Sequence, residues 1–122
     1  MVVYILYERV VMDTVHFQRI AKALADPRRF EILEVIARAG DELCCGSVVE
    51  CFPVAQATVS HHLKELTSAG LIETRAEGQF KYLRARPDVL TEYINELQRR
   101  IGQPSGKGSG PQGANRQKSA KV

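Results

Sequence analysis

Hydrophobic residues recur at helical spacing through the middle of the chain, over residues 56–72. Val59, Leu63 and Leu66 lie three or four positions apart, so one side of the predicted helix faces a core. Gly70 is the residue type that commonly ends a helix in the left-handed conformation. The opposite side of the helix carries Gln56, Ala57, Thr58, Ser60, His61 and Lys64. Small, hydrogen-bonding and basic side chains of this kind suit a helix lying in the DNA major groove.

Two amphipathic helices are predicted before this one. The first covers residues 14–24, where apolar residues follow helical spacing. Asp26 and Pro27 then supply an N-cap and a first-turn proline for a second helix over about residues 27–39. The predicted buried side of this second helix is Phe30, Leu33, Ile36 and Ala37.

A helix-turn-helix and a hairpin follow in sequence. A short third helix is predicted over residues 43–52, and with the proline turn after it and the longer helix described above it makes a helix-turn-helix. Residues 71–75 and 80–85 are strand-like, and the four-residue link between them contains Gly78, as a hairpin requires. The basic residues of this hairpin are Arg75, Lys81, Arg84 and Arg86. Beside a DNA-facing helix, they are expected to grip phosphates.

A last helix begins at Pro87 and carries a continuous apolar stripe. The stripe consists of Leu90, Tyr93, Ile94, Leu97 and Ile101. On the terminal helix of a small domain we interpret it as the seam of a dimer, and the alternative is that it packs on its own domain. Asp88, Glu92 and Glu96 recur every four residues on the same helix and are interpreted as a solvated face.

The chain is predicted to have three parts. Its 122 residues allow one domain with a modest core, which we assign to residues 13–101. Residues 1–12 are interpreted either as an N-terminal arm or as a mis-assigned start ahead of a natural one at Met12. Residues 102–122 are rich in Gly, Ser and Lys and are expected to be disordered.

The net charge of +3 resides in the C-terminal part of the chain. Residues 102–122 hold four basic and no acidic residues, so the predicted domain carries a slight acidic excess. Nucleic-acid affinity would therefore depend on local placement of charge and on the basic tail. Three cysteines, two of them adjacent, argue against a secreted disulfide framework, and no apolar run is long enough to span a membrane. The expected location is the cytoplasm.

Together these elements resemble the ArsR/SmtB family of winged-helix repressors. The resemblance covers residues 17–101 and rests on the segments 23–29, 59–63 and 69–72 in this order and spacing. It implies a mainly α-helical winged helix-turn-helix with a small β-hairpin, four helices before the hairpin and a fifth after it. It further implies a homodimer bound to a two-fold symmetric operator in double-stranded DNA.

The resemblance also implies roles for particular residues. Those expected in the major groove are Gln56, Thr58, Ser60, His61 and Lys64. Those expected near the DNA backbone or minor groove are Arg75, Gln79 and Lys81. Pairing through the first and last helices would use Phe17, Ile20, Leu90, Tyr93, Ile94 and Leu97. Ala55 departs from the family pattern, in which a serine commonly caps the recognition helix.

Many members of the family bind metals or metalloids through a Glu-Leu-Cys-x-Cys pattern at the start of the third helix. Here Glu42, Leu43 and Cys44 match, Cys45 takes the variable position, and Gly46 replaces the second cysteine. We interpret Cys44 and Cys45 as a thiol site for an ion such as As(III), with Gly46 easing the local unwinding that both sulfurs require. The alternative is a repressor that does not sense through these thiols.

The remaining cysteine and the other histidines have simpler interpretations. Cys51 is predicted to be a small core residue, His62 a structural residue hydrogen-bonded within the motif, and His16 a surface residue. The expected function is a repressor released from its operator by a thiol-reactive or metalloid signal. A winged-helix module for protein–protein contact is the alternative from another class. No phosphate loop, carboxylate pair or nucleophile motif indicates an enzyme.

Overall fold

The computed structural model describes residues 12–102. Its elements, in chain order, are α1 (Thr14–Ala25), α2 (Pro27–Arg38), β1 (Leu43–Cys44), α3 (Cys45–Glu50), α4 (Gln56–Ser68), β2 (Ile72–Glu77), β3 (Phe80–Ala85) and α5 (Pro87–Leu97). A π-helical turn, Gln98–Gly102, follows α5. The three strands form an antiparallel sheet in the order β1-β3-β2. The predicted winged helix-turn-helix is confirmed.

The predicted third helix is wrong at its start. Leu43 and Cys44 form a short strand opposite Leu83 and Tyr82 of β3, and the helix begins only at Cys45. The outer edge of β3 offers backbone partners to this segment, and pairing with them leaves Cys44 extended (φ −66°, ψ 138°). A tertiary hydrogen-bond pattern therefore overrides the local helical pattern.

The hairpin is tighter than predicted. β2 and β3 stay in register as far as the pair Glu77 and Phe80, so that only Gly78 and Gln79 lie between them. Gly78 has a φ of +62°, the left-handed conformation that a two-residue hairpin turn requires.

The core lies between the helices and the inner side of the sheet. Its largest fully buried side chains are Ile20, Ile32, Ile36, Val48, Val59, Leu66, Leu71, Ile72 and Leu83. The predicted buried side of α2 was wrong at two positions, because Phe30 is 44% exposed and Ala37 is also exposed. Ile36 is buried as predicted, and Ile32, one helical turn before it, also faces the core. Met12, which had been assigned to the arm, is buried too. The rest of the predicted arm and the tail after Gly102 lie outside the described residues.

Side chains fasten the ends of α1, α2 and α4. The Asp26 carboxylate accepts a hydrogen bond from the Arg29 backbone N–H at 3.0 Å, which lowers the pKa of Asp26 and caps α2 as predicted. His16 was wrongly predicted to be a surface residue. It is half-buried, and its Nε2 is hydrogen-bonded to the backbone oxygen of Ala69 at 2.8 Å, where α4 ends. Gly70 follows with a φ of +82°, as the sequence predicted.

Arg100, held by Glu96, joins the end of the C-terminal helix to the start of α1. The Glu96 side chain is only 2% exposed and forms ion pairs at 2.6 Å with Arg99 and Arg100, so the prediction of a solvated carboxylate was wrong here. The Arg100 guanidinium lies 4.3 Å from the ring centroid of Phe17 and donates a hydrogen bond to Thr14 Oγ1. The two ion pairs with arginine thus offset the desolvation cost of the buried Glu96 carboxylate.

We expect Glu96→Gln to destabilise the protein in a pH-dependent manner. Hydrogen bonds from Arg99 and then Arg100 lower the pKa of Glu96 to about 2, from an ordinary value of 4.5. The stabilisation is therefore complete above the ordinary pKa and is lost as the pH falls through the folded value. Denaturant unfolding should show a constant difference between the two proteins near neutral pH that shrinks below pH ~4.5. Glu92→Gln, an exposed position on the same helix, should show almost no difference at any pH.

Candidate DNA-binding surface and thiol segment

Helix α4 has one buried and one exposed side. Val59, His62, Leu63 and Leu66 face the core. The side chains exposed on the other side are Gln56, Ala57, Thr58, Ser60, His61 and Lys64. This exposed side is polar, contains no carboxylate and projects from the second helix of the helix-turn-helix. It is the surface that the sequence predicted for reading base edges.

The start of α4 lacks a side-chain cap. Ala55 has the extended conformation of an N-cap residue (φ −62°, ψ 148°), but its methyl group cannot accept a hydrogen bond. Its backbone oxygen accepts from the N–H groups of Thr58 and Val59, at 3.0 and 3.2 Å. The backbone N–H groups of the first turn are left without a side-chain acceptor from Ala55.

His62 is buried in the helix-turn-helix rather than exposed beside His61. It is 8% exposed, and within residues 12–102 its Nδ1 atom has no hydrogen-bond partner. The prediction of a structural residue holds for its burial, but the predicted hydrogen bonding is wrong for this nitrogen. Burial lowers the pKa of His62, so the ring is neutral at neutral pH.

The arginines of the wing, the hairpin formed by β2 and β3, are engaged by carboxylates. Arg75 pairs with Glu42 and Glu77, and these hydrogen bonds raise the pKa of the guanidinium. Arg84 pairs with Glu73, and Arg86 pairs with Asp88 at 2.8 Å. Sequence reasoning missed these pairings. Glu42 lies before β1 and Glu73 lies on the neighbouring strand, whereas Glu77 and Asp88 lie only two residues from their arginines and could have been considered. In the unbound protein each of the three arginines is paired with carboxylates, and the expectation that they grip phosphates stays a prediction.

Two lysines remain open beside the recognition helix. Lys64 on α4 and Lys81 on β3 are exposed, and the described part of the chain contains no ion pair of either. They border a cleft of about 280 Å³ between α4 and the wing, together with Ser60 and Thr74. Cys45 lies in the wall of the same cleft. Gln79, the third residue predicted for the wing, is exposed at its tip.

The three thiols are free and lie in different surroundings. Cys44 is half-buried and pairs with Tyr82 across the sheet, whereas the half-buried Cys45 lines the cleft. Cys51 was predicted to lie in the core, but it is exposed. It follows the last residue of α3, and its thiol donates to the backbone oxygen of Ser47 at 3.2 Å. Within residues 12–102, no group of three or more His, Cys, Asp or Glu side chains is arranged to hold a metal ion.

The residues predicted for pairing fall into two groups. Leu90 and Ile94 of α5 are exposed by 38% and 45%. Phe17 and Ile20 belong to the core of the chain itself, since Ile20 has no exposed surface and Phe17 packs on Tyr93 with ring centroids 5.1 Å apart. Tyr93 and Leu97 are half-buried beneath the exposed pair. Phe17 and Ile20 therefore belong to the core beneath this surface and are not exposed on it.

Known proteins share both the sequence and the fold. Residues 24–75 match the model of a helix-turn-helix domain family. The arsenical resistance operon repressor of Staphylococcus xylosus is 38% identical over 77 residues, which are 63% of this chain and 71% of that protein. An ArsR-like transcriptional regulator from Rhodococcus sp. RHA1 has a similar structure (TM-score 0.63, 27% identity, 72% of this chain and 80% of that one).

A second solved structure is the homodimeric winged helix-turn-helix DNA-binding domain of a possible ArsR-family regulator from Mycobacterium bovis. It matches with a TM-score of 0.57 and 27% identity, over 77% of this chain and 87% of that chain. Fold, surface and relatives together define a DNA-binding transcriptional regulator of the winged helix-turn-helix class. The chain belongs to the ArsR family. Its relatives are regulators and not enzymes. None of the helices in residues 12–102 has the length and apolar character needed to cross a membrane.

We expect Ala55→Ser to stabilise the protein by about 1 kcal/mol. The serine hydroxyl would accept a hydrogen bond from the first turn of α4, and Ala55 already has the extended backbone that a cap requires. Thermal or denaturant unfolding measures the change. Ala57→Ser, within the exposed first turn, introduces the same atoms without a capping position and should not stabilise. Equal stabilisation by the two variants would contradict the capping argument.

Proposed function

We propose that the protein is a homodimeric transcriptional repressor that reads a two-fold symmetric operator and leaves it when its thiols react. The observation that carries the DNA-binding part is the exposed polar side of α4, held by a buried opposite side next to two open lysines. The relative from Staphylococcus xylosus is named as a repressor of an arsenical resistance operon, which supports the direction of regulation. Acting on DNA in this way, it would work in the cytoplasm.

Each protomer would insert the start of α4 into a major groove. Residues proposed to contact base edges or nearby phosphates are Gln56, Thr58, Ser60, His61 and Lys64. Gln79 and Lys81 of the wing would reach the neighbouring backbone or minor groove. Arg75 already pairs with Glu42 and Glu77, which would compete with a phosphate for its charge, so it is the least suited of the predicted contacts.

Pairing would place two copies of this surface on one side of the DNA. The exposed Leu90 and Ile94 of α5 offer an apolar surface for a second copy, with Tyr93 and Leu97 beside them. The homodimeric relative described above supports this arrangement. A two-fold axis would then set the half-sites about one helical turn apart, which is the spacing that lets both recognition helices enter the same side of the duplex.

The thiol signal is proposed to act at Cys44 and Cys45. A soft ion such as As(III) prefers sulfur ligands, and the arsenical repressor relative supports this class of signal. The two thiols face different surroundings, one on the sheet and the other in the cleft below α4. Binding both sulfurs to one ion would therefore displace the junction between β1 and α3, and that junction leads directly into the helix-turn-helix. A repressor of the same fold that does not sense through these thiols is the alternative.

We expect Lys64→Ala to weaken DNA binding and to flatten its dependence on salt. If Lys64 contacts one phosphate, the slope of log K against log salt should fall by about 1. Duplexes selected from a pool with a randomised centre provide the operator, and fluorescence anisotropy at several salt concentrations measures both quantities. Lys22→Ala makes the same charge change on α1 and should leave the slope unchanged. Equal affinity of the unaltered chain for selected and unrelated duplexes would contradict sequence-specific repression.

We expect arsenite to release the unaltered protein from this operator but not the variants Cys44→Ser and Cys45→Ser. Each variant lacks one of the two sulfurs that would hold the ion. Cys51→Ser removes an exposed thiol on the far end of α3 and should be released normally. Gel shift with increasing arsenite measures the effect. If arsenite releases both Cys44→Ser and Cys45→Ser normally, sensing through these thiols is contradicted. The alternative, a repressor of the same fold that does not sense through them, then remains.

A further inference from the structure

Three side chains on one face of the sheet form a row across its strands. Cys44 of β1 and Arg75 of β2 are both directly opposite Tyr82 of the central strand β3. Directly opposite residues in antiparallel strands project from the same face. The predicted sensor thiol and a predicted DNA contact therefore flank the same tyrosine.

The Arg75 side chain extends along this row and reaches Glu42, the residue immediately before β1. Its guanidinium carbon lies 4.8 Å from the centroid of the Tyr82 ring. Nε and Nη2 donate hydrogen bonds to the two carboxylate oxygens of Glu42, at 2.8 and 2.7 Å. Glu42 stands two residues before Cys44, so one bidentate pair joins the outer strand of the wing to the thiol segment.

The third nitrogen of Arg75 is also occupied. Nη1 donates to Glu77 on the same strand at 2.6 Å. All three guanidinium nitrogens therefore donate to carboxylates, and a DNA phosphate would have to compete with these carboxylates for the same positive charge. Displacing Glu42 would sacrifice a bidentate geometry that a single phosphate contact replaces only in part.

β1 has limited backbone support. It is two residues long and, within residues 12–102, pairs with β3 alone, while the side chain of Leu43 packs against the core. Short strand pairs are marginal without side-chain support. A bidentate pair stacked on an aromatic ring is the kind of interaction that can supply such support, because its geometry is rigid and directional.

We propose that Glu42 and Arg75 form a clamp that holds β1, and with it Cys44, against the wing. Arg75 is then a positioning residue and not a phosphate ligand. Because β1 continues directly into α3, opening the clamp loosens both the wing and the first helix of the helix-turn-helix. Release of Cys44 from the sheet then favours loss of the DNA-binding arrangement. Because such coupling acts equally in both directions, loss of that arrangement also favours release of Cys44. The clamp stands on geometry alone, whereas its effect on DNA rests on the proposed function.

The first test follows the accessibility of Cys44 without DNA. In the full chain carrying Cys45→Ser and Cys51→Ser, a thiol-specific disulfide reagent reports the reaction rate of the remaining Cys44. Glu42→Gln and Arg75→Lys should each increase this rate roughly two- to fivefold, as expected for losing a partly exposed ion pair. Glu77→Gln also removes one carboxylate charge next to the Arg75 guanidinium, but it leaves the pair between Arg75 and Glu42 intact. The reaction rate of Cys44 should therefore not change in this variant. An unchanged rate in Glu42→Gln, or an equal increase in Glu77→Gln, would overturn the clamp.

The second test uses the sign of the change in DNA affinity. Glu42→Gln removes a negative charge, so a phosphate-binding Arg75 set free by it would bind the selected duplex more tightly and with a steeper salt dependence. A clamp predicts the opposite, a roughly two- to fivefold loss of affinity with an unchanged salt slope. Tighter binding would therefore overturn the assignment of Arg75. If no selected duplex is preferred over unrelated DNA, the proposed function fails, and the thiol rates still decide whether the clamp exists.

Discussion

The burial of one side of α4 is the constraint on which the rest of the molecule depends. Val59, Leu63 and Leu66 are held by a core that draws on helices from both ends of the described chain and on the sheet. Because a helix that buries one side presents the other, this packing determines which residues of α4 are exposed to a partner. The polar side of α4 is thus exposed over about three helical turns, while the opposite side of the helix is fixed in the core.

The recognition helix is less well satisfied than the elements that support it. α2 begins with the capping carboxylate of Asp26, whereas α4 begins at Ala55 without a side-chain cap. His62 adds a buried ring nitrogen without a partner among the described residues. Departures from local stability tend to lie at functional sites. Here both lie in α4, the helix that we propose contacts the DNA.

The arginines of the wing form ion pairs within the chain. Arg75, Arg84 and Arg86 each pair with carboxylates of this chain, which leaves Lys81 as the open cation of the wing within the described residues. A wing with this arrangement carries less positive potential than its composition suggests. It is instead fastened to its neighbours, and the Glu42 pairing fastens it to the segment that holds the adjacent thiols. Regulation through those thiols would then need no change in the recognition helix itself.

Periodicity and end signals in the sequence were sufficient for most of the architecture. The spacing of Val59, Leu63 and Leu66, the Asp26-Pro27 start and the glycine at position 70 each act within one or two helical turns, so their consequences can be read locally. The resemblance to the ArsR family rests on the same local segments. What the sequence could not reveal were contacts between distant segments. The strand at Leu43 exists because β3 has an open edge.

Long-range contacts likewise decided the state of individual side chains. His16 is half-buried because α4 ends against it at Ala69. Glu96 is buried where its partner Arg100 also donates to Thr14 at the start of α1. Arg75 meets Glu42 across 33 positions of sequence. The sequence by itself determined the elements and the exposed side of α4, because helical periodicity is a local property. Only the tertiary structure decided which charges neutralise one another, since that depends on which segments the fold brings together.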